Sequence, residues 1–164
     1  MFLNSNLETF KIEYLLLRSL FRAQLMFSAK TDDWRSPDAL LKDLNKEFDF
    51  DFDPCPYNAT FDGLTLDNWE GNCMFVNPPY SKNASRGKPG TPRYFKGWVE
   101  KGFEESQKGK TVVMLLPART DTSYFHDYIL PNAEIRFIRG RLKFSDHYNP
   151  APFPSMVVIF RGKK

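Results

Sequence analysis

Asn77-Pro78-Pro79-Tyr80 is the stretch of this sequence whose residue types and spacing point most directly to chemistry. Two consecutive prolines fix φ, remove two backbone donors and push Asn77 into an extended conformation. The result is a rigid bracket that offers the Asn77 amide and the proline carbonyls as acceptors beside an aromatic face. Such a bracket can hold a flat group carrying an exocyclic amine by hydrogen bonds and stacking. The same four residues can also simply be a proline turn that ends a strand.

Two other polar segments follow apolar runs in the same way, Asp53-Pro54-Cys55-Pro56 and Pro117-Ala118-Arg119-Thr120-Asp121. Cys55 and Cys73 are the only cysteines, and His126 and His147 the only histidines. None stands at zinc-ligand spacing, so no metal site is expected. Two cysteines are too few for a disulfide-stapled secreted scaffold, and a reducing, cytoplasmic setting fits best.

The net charge of +3 conceals a strong polarity: residues 1–30 sum to +2, residues 31–80 to −8 and residues 81–164 to +9. A basic half offers an electrostatic footprint for a polyanion such as nucleic acid, although charges can also segregate on a merely solvated surface. Sixteen Phe in 164 residues exclude general disorder. The apolar runs fall short of the roughly 18 residues that span a bilayer, so a soluble chain with no membrane partner is expected.

The elements that must position these residues follow from periodicity. Phe10, Tyr14, Leu17, Phe21 and Leu25 form one helical stripe, so residues 1–27 read as an N-terminal extension with a short amphipathic helix, Met26 being an alternative start. Residues 28–164 then form a single domain. Ser36 stands as an N-cap with Pro37 at the first helical position, and Leu40, Leu41, Leu44 and Phe48 supply the apolar face of a helix over about 37–47. Phe48, Phe50 and Phe52 alternate with Asp49, Asp51 and Asp53, a period-two strand stopped by Pro54.

Strands are also expected at Cys73–Val76, Thr111–Leu116, Ile135–Ile138 and Met156–Phe160, with helices over about 93–107, closed by Gly109, and around Tyr124–Ile129. The stretch from Ser81 to Pro92 is polar, basic and rich in breakers, which reads as a mobile loop. Strands alternating with helices need crossovers, so the expected fold is α/β: a mostly parallel sheet, an antiparallel strand at its end, helices on both faces. In such sheets ligands bind beyond the carboxyl ends of the strands. The three polar segments should therefore converge on one edge.

Asn-Pro-Pro-Tyr directly after an apolar strand resembles the catalytic motif of amino-group methyltransferases that use S-adenosyl-L-methionine. Trp34-Arg35-Ser36-Pro37, Glu47-Phe48-Asp49-Phe50, Asp53-Pro54-Cys55-Pro56, Asp62-Gly63-Leu64, Asn77-Pro78-Pro79-Tyr80-Ser81, Leu115-Leu116-Pro117-Ala118-Arg119-Thr120-Asp121 and Gly140-Arg141-Leu142-Lys143-Phe144 stand in the same order. Together they resemble the phage-type DNA N-6-adenine methyltransferases of the Dam family, from about Met26 to Phe160. The resemblance implies a Rossmann-like methyltransferase domain that methylates adenine in DNA, in a restriction-modification setting.

Carried onto this sequence, it implies that Asn77 and the Pro78 carbonyl accept hydrogen bonds from the adenine amine, that Pro79 stiffens the bracket, and that Tyr80 stacks on the base. It implies cofactor contacts for Asp53, Pro54, Cys55, Asp62, Ser36 and Pro37, with Asp53 facing the methionine ammonium. Arg119, Arg141 and Lys143 become phosphate contacts or part of the site's assembly, unless they only keep the surface soluble. The target adenine must be flipped out of the duplex or already single-stranded, with Phe144 and Phe153 available to support it.

The glycine-rich loop common in such enzymes is replaced here by Asp53-Pro54-Cys55-Pro56. The chain between Asp53 and Asp62 is too short for a helix and a second strand, which leaves Asn58 as the candidate ribose ligand. Alternatives remain open at this point: methylation of RNA or of a protein glutamine, or an inactive nucleic-acid-binding module on the same fold.

Overall fold

The computed structural model describes residues 35–56, 59–80, 94–144 and 148–162. The expected N-terminal extension, the loop from Ser81 to Pro92 and Asn58 lie outside the described residues.

Helix α1 (Asp38–Phe48) buries Leu44 and lays Leu40, Leu41 and Phe48 beside it. Its N-cap position is held by Pro37 with no side-chain cap, so Ser36 is not the N-cap expected from the sequence. The helix stops at Asp49, whose φ of 51° is left-handed and whose N–H closes on the Asn45 carbonyl.

The strand expected over Phe48–Asp53 is reduced to one parallel bridge between Phe52 and Met74. Side chain replaces ladder here, because the Asp51 carboxylate accepts from the N–H groups of Asn72 and Cys73 at 2.9–3.1 Å. Two backbone bonds, Asp51 N–H to the Cys73 carbonyl and Phe75 N–H to the Phe52 carbonyl, keep the segment alongside its neighbour.

That neighbour is β1 (Cys73–Val76), followed by α2 (Tyr94–Gln107), β2 (Thr111–Pro117), a π-helical turn at Phe125–Ile129 running into α3 (Leu130–Asn132), β3 (Glu134–Phe137) and β4 (Ser155–Phe160). Gly109, at φ 89°, ends the turn after α2 as expected. The strand order is β1-β2-β4-β3. β1 pairs parallel with β2, whereas β4 pairs antiparallel with both β2 and β3.

This corrects the expected sheet in two respects. Two of its three ladders are antiparallel, so the sheet is mixed rather than mostly parallel, and the reversed strand lies inside it rather than at its end. Composition explains the placement. Ser155-Met-Val-Val-Ile-Phe is buried throughout and takes the inner position, while Glu134-Ile-Arg-Phe carries two charges and takes the edge.

Alternation along the strands gives two cores. Met74, Val76, Val112, Met114, Leu116, Met156 and Val158 face Trp98 and Val99 of α2 and Ile129 of the π-helical turn. Phe75, Val113, Leu115, Val157 and Ile159 face Leu44 of α1, Phe50 and Phe144. Each such side chain stabilises by about 1.5–3 kcal/mol on burial. A one-residue slip of β2 would exchange its two faces, so the register is pinned from both sides.

Candidate active site

Register brings the expected segments to one edge of the sheet. Val76 pairs with Met114, Pro117 with Ser155, and Phe137 with Met156, so β1, β2 and β3 end where β4 begins. Asn77 leaves β1 there and Ala118-Arg119 leave β2. Asp53 follows Phe52, which runs beside β1.

The Asp53 carboxyl is buried and accepts the Cys55 N–H at 2.8 Å. Burial pushes it up to about 7, and the Cys55 N–H opposes the rise only in part. No cation contributes to its environment among the described residues. Gly63 fixes the neighbourhood: a Cβ there would lie 2.1 Å from the Pro54 carbonyl oxygen and 2.9 Å from the Trp98 ring. Only glycine lets the Asp62-Gly63-Leu64 turn close against Pro54 in this way. The Trp69 indole N–H holds the turn through the Gly63 carbonyl at 2.8 Å. Asp62 accepts from the Leu64 N–H at 3.0 Å and so starts this 3₁₀ turn.

The Asn77 carboxamide is gripped at both ends. Its Nδ2 donates to Ser36 Oγ at 2.9 Å. The Tyr80 hydroxyl lies 2.6 Å from Asn77 Oδ1 and 2.9 Å from the Leu115 carbonyl oxygen, and with one hydrogen it donates to one of them at a time. Burial holds the Tyr80 phenol well above its usual range, so it acts as a neutral donor. Its ring meets Phe95, Phe144 and Phe153 edge to face at 5.4–6.1 Å.

Phe144 is fully buried and belongs to the core. Phe153 is half-buried. Arg119 and Arg141 are exposed, and Lys143 is exposed with its ammonium 5.7 Å from the centre of the Tyr148 ring. Both Arg141 and Lys143 belong to the excursion between β3 and β4, tied back by the Ala151 N–H to the Leu142 carbonyl. Pro54 and Pro78 are buried, while Pro37, Cys55 and Pro79 are half-buried.

Among the described residues, no cluster of His, Cys, Asp and Glu could hold a metal ion, and no helix is long and apolar enough to cross a membrane. The model of the family described as DNA N-6-adenine-methyltransferase (Dam) matches residues 24–163, nearly the whole sequence. The chain belongs to the DNA N-6-adenine-methyltransferase (Dam) family. No curated protein matches it. The family's description is of an enzyme that methylates adenine in DNA, which makes DNA its substrate class.

Three contributors to this Dam-family edge escape sequence reading. Gly63 is visible only as part of a quoted tripeptide, and nothing marks it as the residue that meets Pro54. The Leu115 carbonyl carries no sequence signal at all. Ser36 reads as a helix cap or, by the resemblance, a cofactor contact; what escapes is its bond to Asn77, 41 positions away.

Proposed function

We propose that this chain transfers a methyl group from S-adenosyl-L-methionine to the exocyclic amine of adenine in DNA. The observation that supports this best is the Asn77 carboxamide, held between Ser36 and Tyr80 at the carboxyl edge of the sheet. When bound, S-adenosyl-L-methionine would supply the methyl group, its sulfur–carbon bond breaking as the bond to the amine nitrogen forms and the amine sheds a proton.

Asn77 Oδ1 and the Pro78 carbonyl accept from the amine and turn its lone pair toward the methyl carbon, so orientation and placed acceptors lower the barrier. A carbonyl oxygen has two lone pairs, so Oδ1 can accept from Tyr80 and from the amine together. Pro79 stiffens the bracket, and the Tyr80 ring, braced by Phe95, Phe144 and Phe153, closes its wall against the base.

The buried Asp53 carboxyl suits an ammonium, because a cation would relieve the desolvation that now raises its pKa. On this reading Pro54, Cys55, Asp62, Ser36 and Pro37 are the further cofactor contacts. Arg119, Arg141 and Lys143 present cations on the same edge for phosphates flanking an adenine flipped from the duplex or already single-stranded. The domain would be a Rossmann-like methyltransferase spanning residues 28–164, acting in a bacterial cytoplasm as a phage enzyme of restriction-modification type.

The test is transfer of radiolabelled methyl from S-adenosyl-L-methionine to unmethylated DNA, with the products digested to nucleosides. Methyladenine is expected, with a loss of at least ~100-fold in Asn77→Ala. Label confined to RNA or protein would overturn the DNA reading. Folded protein that retains DNA but binds no cofactor would establish the inactive binding module.

A further inference from the structure

We propose that Ser36 is a positioning residue that sets which way round the Asn77 carboxamide faces, an inference resting on the reading of Asn77 as acceptor for the amine. The oxygen and nitrogen ends of a carboxamide have nearly the same shape, and a half-turn of the terminal torsion exchanges them. Only one orientation works. With Oδ1 toward the base the amine finds an acceptor, whereas with Nδ2 there two donors face each other.

Either orientation could be satisfied by hydroxyl partners, because Ser and Tyr both donate and accept. The structure has Asn77 Oδ1 2.6 Å from the Tyr80 hydroxyl and Nδ2 2.9 Å from Ser36 Oγ, so Ser36 stands as the acceptor on the nitrogen end. Ser36 is 7% exposed, so an amide hydrogen losing this acceptor gains little from water. Pro37 holds the Ser36 backbone extended, which keeps the hydroxyl at its station.

Replacing Asn77 by a carboxylate removes the need for an orienting partner, since both of its oxygens accept. Ser36→Ala is expected to lower kcat about tenfold in the wild-type background, a loss larger than any change in cofactor affinity measured by calorimetry. In the Asn77→Asp background, the same change should alter whatever rate remains by less than about twofold. Equal losses in both backgrounds, a fall in cofactor affinity that accounts for the loss, or no loss at all would overturn the proposal.

Should Asn77→Asp be inactive, Ser36→Thr decides. Recovery of kcat with the hydroxyl restored supports the role, and a Thr variant as impaired as the Ala variant ends it. If Asn77→Ala keeps full activity, the reading of Asn77 itself fails. If Asn77→Ala is dead and Ser36→Ala is unaffected, only the inference about Ser36 fails.

Discussion

Among the described residues, each end of the sheet buries one carboxyl group, and the two are treated in opposite ways. At the end where β2 begins, Glu105 is enclosed by the ammonium groups of Lys101, Lys108 and Lys110 at 2.7–3.1 Å. Burial raises its pKa, but the hydrogen bonds from the three lysines outweigh that and bring it down to about 2. At the carboxyl edge, Asp53 has one backbone N–H and is pushed up to about 7. A buried acid with its cations in place is a fastening: the same lysines reach the Asp67 and Trp69 carbonyls and Asn68, tying that loop to the end of α2. A buried acid with no cation beside it among the described residues stays largely protonated below about pH 7.

The severest way to break the contrast is Glu105→Ala, which leaves three lysines crowded around an empty position. It should cost about 3–5 kcal/mol in urea unfolding. A loss below about 1 kcal/mol would show that Glu105 is not a fastening.

Asp53→Asn should act with the opposite sign. The folded pKa of Asp53, about 7, lies above its ordinary 3.8. The stability linked to its proton is therefore fully present below about pH 4 and lost as pH rises through 7. The variant should match wild type near pH 4 and exceed it by about 2–4 kcal/mol at pH 8. Destabilisation at pH 8 would refute this assignment. Glu105 must show the mirror image, its contribution present above pH 4.5 and lost as pH falls toward 2.

The smallest effect sharpens the assignment of Asp53 to the cofactor ammonium. Cofactor affinity measured by calorimetry should fall about tenfold per unit below pH 7, because the carboxyl must first lose its proton. The slope should vanish in Asp53→Asn. A slope that persists in the variant would place the titrating group elsewhere.

Glu105 and Asp53 also show how far sequence reading extends. Lys101 and Lys108 stand four and three residues from Glu105 on a helical pattern, so the ion pairs are legible, but the complete burial of Glu105 is not. Asp53 belongs to a period-two run that sends Asp49, Asp51 and Asp53 toward solvent, and burial of the third overrides the pattern. The close approach of Gly63 to Pro54 next to it is likewise a contact between segments with no shared periodicity.

Local chemistry is what the sequence by itself determined. The prolines of Asn77-Pro78-Pro79-Tyr80 stop β1 and stiffen the bracket wherever it lies, and the apolar runs set β1, α2 and β2 close to their observed bounds. Family membership follows from the same ordered segments. Tertiary structure alone decided the rest: that β4 inserts between β2 and β3, that Tyr80 turns its hydroxyl inward to Asn77 and Leu115, and that Ser36 meets Asn77. The reason is the range of the forces involved. Proline stiffness and side-chain periodicity act within a few residues, whereas a hydrogen bond between positions 36 and 77 exists only after packing has brought two distant segments together.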